Sequence, residues 1–290
     1  MRGRVLIAAL ALLVAGLGGA RAEMLAPFKD DLFALPATIE TSDDGRRLVV
    51  DYQEMRDING RDEVPERRAH AAYVDLSVRR SQAELAIEAN GRTIPHFAVG
   101  ATENARFVVL YLHGQGGNRR QGVDDHSFGG NFNRIKNLAA RNGGLYLTMD
   151  LRDFGRTGVS DAGALIAFYL GRSPGAEAFV ACGSAGGAVC WALARDGQLA
   201  PRLGGLMLLG SMWDDGFAGS AAFAARVPVY LGHGGNDRVF AVAGHEAFMR
   251  SVLARDGDYP IRMVRFETGS HGTPIRMTDW RGVLNWMAAQ

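Results

Sequence analysis

The sequence predicts an α/β fold built on a mostly parallel, doubly wound sheet, and three observations carry that prediction. From residue 106 onward, apolar runs of strand length alternate with segments of helical periodicity. The central runs are apolar at nearly every position, which is the pattern of parallel strands buried on both faces. The segments between them are long enough to serve as crossover helices, and alternation sustained over this length belongs to the α/β class.

The first residues stand apart from that pattern. "MRGR" is basic, "VLIAALALLVAGL" is an apolar run, and "ARA" precedes Glu23. This is the three-part layout of a secretory signal peptide. A membrane-spanning helix needs about 20 apolar residues, and this run is shorter. The expectation is a signal peptide over 1–22 and one domain over 23–290, exported to the periplasm or beyond and left without a membrane anchor. No Cys stands at the cleavage point, so a lipoprotein anchor is not indicated.

Each later element follows in turn. Over 23–42 the sequence predicts only extended chain or a short helix on the surface. "RRLVVDYQEM", "AAYVDLSV" and "AELAIEANGRTIPHFAVG" carry alternating or β-rich runs, with Asn90-Gly91 as a hairpin turn signal. They predict antiparallel edge strands leading into the parallel core. Strands then fall at 107–112, 145–150, 178–182, 206–210, 227–232 and 261–266. Helices fall around 131–141, 160–171, 185–196, 240–254 and 277–288. The interval from 206 to 231 reads strand, loop, strand and is too short for a sizeable helical cap, so the substrate site is expected to be open.

Composition narrows the function. The net charge is +1 with both signs interspersed, which gives no electrostatic footprint for nucleic acid. The two cysteines are Cys182, at the end of a strand, and Cys190, nearly two turns along the next helix. Sheet and helix axes lie about 10 Å apart, whereas a disulfide needs Cα atoms within about 7 Å. Two free, buried thiols are expected.

The stretch "FVACGSAGGAVC" runs from a strand through a glycine turn into a helix, with Ser184 at the apex. A serine hydroxyl becomes a nucleophile only with a base, a group that orients the base, and donors for the oxyanion. Glycines in "HGQGG", directly after the strand 107–112, let the backbone N–H groups turn toward a ligand, and the N–H groups of Gln115 and Ala185 would form a two-donor hole. Asp237 follows the strand 227–232 in "GHGGND", with Asp214 and Asp215 as rivals after the preceding strand. His271, in "TGSHGTP", lies between a last strand and a last helix and supplies the base. His245 sits inside a helical pattern and reads as a surface residue, while His113 and His233 read as structural hydrogen-bonding residues. "DDH" at 124–126 offers metal-ligand types but a poor cage, so no metal is expected. Arg119 and Arg120 could attract an acidic substrate, although an exposed role fits them better.

These motifs resemble those of the α/β-hydrolase superfamily over residue 106 to the C-terminus. "CGSAG" is similar to the G-x-S-x-G nucleophile elbow, with Cys182 where glycine is usual. Both flanking positions need a small residue because strand and helix approach closely there, and cysteine is small enough. Dienelactone hydrolases, which resemble this fold, use a cysteine nucleophile; that register would place β-branched Val180 at a small position and fits poorly. The resemblance implies an α/β-hydrolase fold and a serine hydrolase with Ser184, Asp237 and His271 as catalytic residues. It implies cleavage of a small-molecule carboxylic ester with no cofactor. The alternatives are an exported peptidase using the same residues and a non-catalytic binding protein that keeps the fold.

Overall fold

The computed structural model describes residues 23–290, so the expected signal peptide lies outside the described residues. The strands are β1 Thr38–Ser42, β2 Arg47–Val50, β3 Asp62–Glu63, β4 Arg68–Ala69, β5 Gln82–Ala89, β6 Arg92–Gly100, β7 Val108–Leu112, β8 Leu145–Met149, β9 Ala178–Gly183, β10 Leu203–Leu209, β11 Val229–Gly234 and β12 Ile261–Phe266. The helices are α1 Asp30–Phe33, α2 Glu54–Arg61, α3 Asn131–Arg141, α4 Arg156–Gly171, α5 Gly187–Ala194, α6 Ala221–Ala224, α7 Val242–Arg255, α8 Thr273–Met277 and α9 Trp280–Ala288. All strands but β3 and β4 join one ten-stranded sheet in the order β1-β2-β12-β11-β10-β9-β7-β8-β6-β5. From β2 through β8 every neighbouring pair in that order is parallel. The pairs β1–β2, β8–β6 and β6–β5 are antiparallel.

Alternation along each central strand divides the core between two layers. Val108, Leu110 and Leu112 of β7 face one apolar cluster, together with Ala178, Val180 and Cys182 of β9. That layer is closed by Leu165 and Ile166 of α4, Val189 of α5, and Phe248 and Val252 of α7. Val109 and Tyr111 of β7 and Phe179 of β9 face the other layer, closed by Phe132 and Ile135 of α3 and Trp280 and Leu284 of α9. Burial on both faces is why these strands are apolar throughout.

The N-terminal strands divide between the two edges of the sheet. The predicted hairpin forms as β5 and β6, with Asn90 and Gly91 both at positive φ in the turn. The chain of β2, by contrast, crosses to the far edge and pairs in parallel with β12. "AAYVDLSV" is not a strand but two 3₁₀ segments, Ala71–Tyr73 and Leu76–Ser81; the Asp75 carboxylate accepts the Ser77 N–H at 2.9 Å and turns the chain there. The stretch 23–42 does hold a short helix, α1, but not merely on the surface: Leu25 and Phe33 are buried in it and before it.

Cys182 and Cys190 are not free thiols. They form a disulfide with Cα atoms 6.3 Å apart. The expectation assumed a full sheet-to-helix separation, but the turn Ser184–Gly186 runs straight from β9 into α5. The first turns of α5 therefore still lie close to the strand. A Cβ at Gly186 would stand 2.8 Å from the carbonyl oxygens of both Leu112 and His113, so glycine permits this close approach. Denatured, unreduced protein is expected to show no thiol reactive to a chromogenic disulfide reagent, and two equivalents would contradict the bond. Cys182→Ala/Cys190→Ala is expected to lose about 2–4 kcal/mol in urea unfolding.

Between β10 and β11 the chain carries only the 3₁₀ turn Phe217–Gly219 and four-residue α6. No cap is inserted there, as the interval predicted. No helix among the described residues is long and apolar enough to cross a membrane.

Candidate active site

The strand order reverses at β7, which lies between β8 and β9. In open α/β sheets the crevice at the C-terminal strand ends beside such a reversal is where ligands bind. The loops after β7 and β9 meet there: a Cβ on Gly114 would lie 2.7 Å from the Ser184 Cβ. Only glycine admits so close a contact. Ser184 itself is held at φ 49°, a left-handed conformation that costs a non-glycine residue about 1–3 kcal/mol and clusters at functional sites.

Ser184, His271 and Asp237 form a hydrogen-bonded line. His271 Nε2 lies 2.8 Å from Ser184 Oγ, and His271 Nδ1 lies 2.8 Å from Asp237 Oδ2. An ionised carboxylate can only accept, so Nδ1–H donates to Asp237 and Nε2 accepts the Ser184 hydroxyl. Asp237 Oδ1 accepts the N–H groups of Val239 at 2.7 Å and Phe240 at 3.1 Å. Burial acts to raise the Asp237 pKa, but the hydrogen bonds from His271, Val239 and Phe240 outweigh it and hold the carboxyl below its ordinary value. The site is open: the His271 side chain is 30% exposed, whereas that of Asp237 is 0% exposed.

His113 fixes the loop after β7. Its Nδ1–H donates to the Gly114 carbonyl at 2.7 Å, and its Nε2 accepts the Leu151 N–H at 3.0 Å. The Gln115 N–H next in the chain has no acceptor among the described residues. The Ala185 N–H opens the turn into α5, where helical N–H groups lack intrahelical acceptors.

The rival residues are engaged elsewhere. Asp214 is paired with Arg195 and accepts the Gly216 N–H at 3.1 Å, and neither it nor Asp215 bonds His271. Cys182 is consumed by the disulfide. Asp124 caps the N–H groups of His126 and Ser127 at 2.9 and 2.7 Å. Asp125 pairs with Lys136 at 2.6 Å and Arg79 at 2.7 Å. Arg119 is held by Glu84 at 2.5 Å and by Asp150, and Arg120 lies 3.5 Å from Glu84. Two clefts, of about 430 and 560 Å³, lie at the opposite end of the sheet around Glu177 and do not include Ser184.

His245 overturns its expectation as a surface residue, since it is fully buried. Its spacing carried the signal: His245, Phe248, Met249 and Val252 stand at i, i+3, i+4 and i+7, on the buried face of α7. Burial pushes its pKa down from 6.5 to about 3, and burial also lowers His233 and His96. The unfolded chain takes up protons at these sites as pH falls below about 6.5, while the folded chain does not. This contribution to stability is full above about 6.5 and is lost progressively toward about 3. The urea midpoint is expected to drop between pH 7.5 and pH 5, with His245 adding up to roughly 1.4 kcal/mol per pH unit. His245→Gln should flatten that slope, and an unchanged slope would contradict the assignment.

No protein-family model matches the chain, and no curated protein matches it in sequence. Solved structures match its fold. A protein of unknown function from Agrobacterium tumefaciens, described provisionally as an α/β hydrolase, aligns with a TM-score of 0.55 and 15% identity over 70% of this chain and 93% of its own. A thermostable esterase from Pseudomonas putida aligns at 0.51 and 17% over 74% and 83%. An α/β serine hydrolase without a lid from Xanthomonas campestris aligns at 0.50 and 15% over 72% and 94%. At these identities the likeness concerns the fold, and the chain has the α/β-hydrolase fold.

Proposed function

We propose that the chain is an exported serine hydrolase that cleaves small carboxylic esters. The observation that carries this reading is the hydrogen-bonded line from Ser184 through His271 to Asp237, at strand ends beside the backbone N–H groups of Gln115 and Ala185. Ser184 Oγ attacks the ester carbonyl while His271 Nε2 takes its proton. Asp237 keeps Nδ1 protonated and stabilises the imidazolium that forms. The N–H groups of Gln115 and Ala185 receive the charge developing on the carbonyl oxygen. His271 then returns the proton to the departing alcohol, and water repeats the sequence to release the acid.

Ester is favoured over amide because one of the fold neighbours named above is described as an esterase. Export is supported by the apolar N-terminal run and by the buried disulfide, a bond that persists in oxidising compartments. The absence of a cap between β10 and β11 leaves nothing there to open. Purified protein is expected to hydrolyse soluble p-nitrophenyl acetate and butyrate with ordinary saturation. A rate that jumps only above the solubility limit would mean that another segment, such as 118–131, covers the site. No turnover of any ester in a graded series would remove the reading.

A further inference from the structure

Two histidines that this chemistry does not use stand behind Asp237. His233 on β11 and His245 on α7 are both fully buried, and their ring centroids are 4.1 Å apart with planes tilted by 32°. His233 Nε2–H donates to the Phe240 carbonyl at 2.8 Å and lies 3.3 Å from Asp237 Oδ2. His245 Nε2–H donates to the Ser211 carbonyl. Ser211, just beyond β10, donates its Oγ–H to the backbone carbonyl of Ser184 at 2.5 Å. Carbonyl acceptors fix the proton of both rings on Nε2, and the Nδ1 atoms are buried without partners. Burial keeps both rings neutral near pH 7, so they stack without charge repulsion. The Trp213 indole meets the His245 ring edge-on, with centroids 5.6 Å apart.

The chain of contacts therefore has Asp237 at one end and Ser184 at the other. We propose that the stacked His233–His245 pair is a positioning device, which ties the loop bearing Asp237 to the strand end that holds Ser184. This inference rests on the reading of Ser184, His271 and Asp237 as a catalytic triad. His271 spans the two with hydrogen bonds of 2.8 Å on each side, so a shift of either end lengthens one of them. Misplacement of a reacting group by about 1 Å can cost on the order of 100-fold in rate. Apolar rings at 233 and 245 would fill the same space but take away the donors to the carbonyls of Phe240 and Ser211, the second of them buried.

His245→Phe keeps a ring and removes the Nε2–H, whereas His245→Gln returns an N–H near the same place. His245→Phe is expected to lower kcat on p-nitrophenyl acetate by roughly tenfold or more, with little change in KM. His245→Gln should recover most of the loss. The far-downfield proton resonance of His271 Nδ1–H should move or broaden in His245→Phe and return in His245→Gln. That resonance is read without any substrate, so it tests the device even if the esterase reading fails; loss of turnover in Ser184→Ala tests the esterase reading alone. If His245→Phe does not fold, Ser211→Ala cuts the next link and carries the same expectations. Wild-type kcat together with an unmoved resonance, whatever the change in urea midpoint, would overturn the proposal.

Discussion

Ser184→Ala is expected to lower kcat on p-nitrophenyl acetate by roughly a million-fold, leaving the urea midpoint near that of the unsubstituted protein. Removal of the nucleophile from a triad typically costs this much, because the remaining members act only through it. The fold should tolerate the change well. Ser184 Oγ makes its hydrogen bond to His271 at the half-exposed end of the site, and the backbone there is held by the disulfide two residues earlier and by the Ser211 hydroxyl. Alanine meets the same left-handed φ as serine, so no new strain enters. Full activity in Ser184→Ala would end the proposed mechanism outright.

Asp237→Asn should lower kcat by about 10⁴-fold with the geometry preserved. The replacement is nearly isosteric, and its carbonyl oxygen can still accept the N–H groups of Val239 and Phe240 that Asp237 Oδ1 accepts now. The amide nitrogen would then face His271 Nδ1 as a donor and favour the tautomer protonated on Nε2. That tautomer cannot accept the Ser184 proton. Asp214→Asn and Asp215→Asn serve as controls and should leave kcat/KM nearly unchanged, because Asp214 is engaged with Arg195 and neither residue bonds His271. A large loss in Asp214→Asn with a small one in Asp237→Asn would move the orienting carboxylate to the end of β10.

Much of the fold was legible because its signals are local. Strands buried on both faces are apolar at nearly every position, and six runs of strand length stand in the sequence within a few residues of β7 to β12, with only β12 carrying an exposed charge, at Arg262. The hairpin of β5 and β6 announced itself through Asn90-Gly91, since its turn needs positive φ at both residues. The candidate site was legible for a related reason. In a parallel sheet every strand delivers its following loop to the same edge, so His113, Ser184, Asp237 and His271 can be expected to converge from chain order alone.

Reading along the chain was therefore enough for the class of fold, the run of parallel strands and the loops that meet at their C-terminal ends. Periodicity and strand ends are properties of the chain read along its length. The tertiary structure alone decided which edge β2 joins, since a parallel partner such as β12 is chosen by long-range pairing and not by the strand's own pattern. It also decided the state of Cys182 and Cys190, because the height of α5 above β9 depends on Gly186, which has no side chain to hold the turn off the carbonyls of Leu112 and His113. His245 is the third case. A polar ring at a core-facing helical position can be buried only where the fold supplies an acceptor, and here the Ser211 carbonyl and the His233 ring come from the ends of neighbouring strands and not from α7 itself.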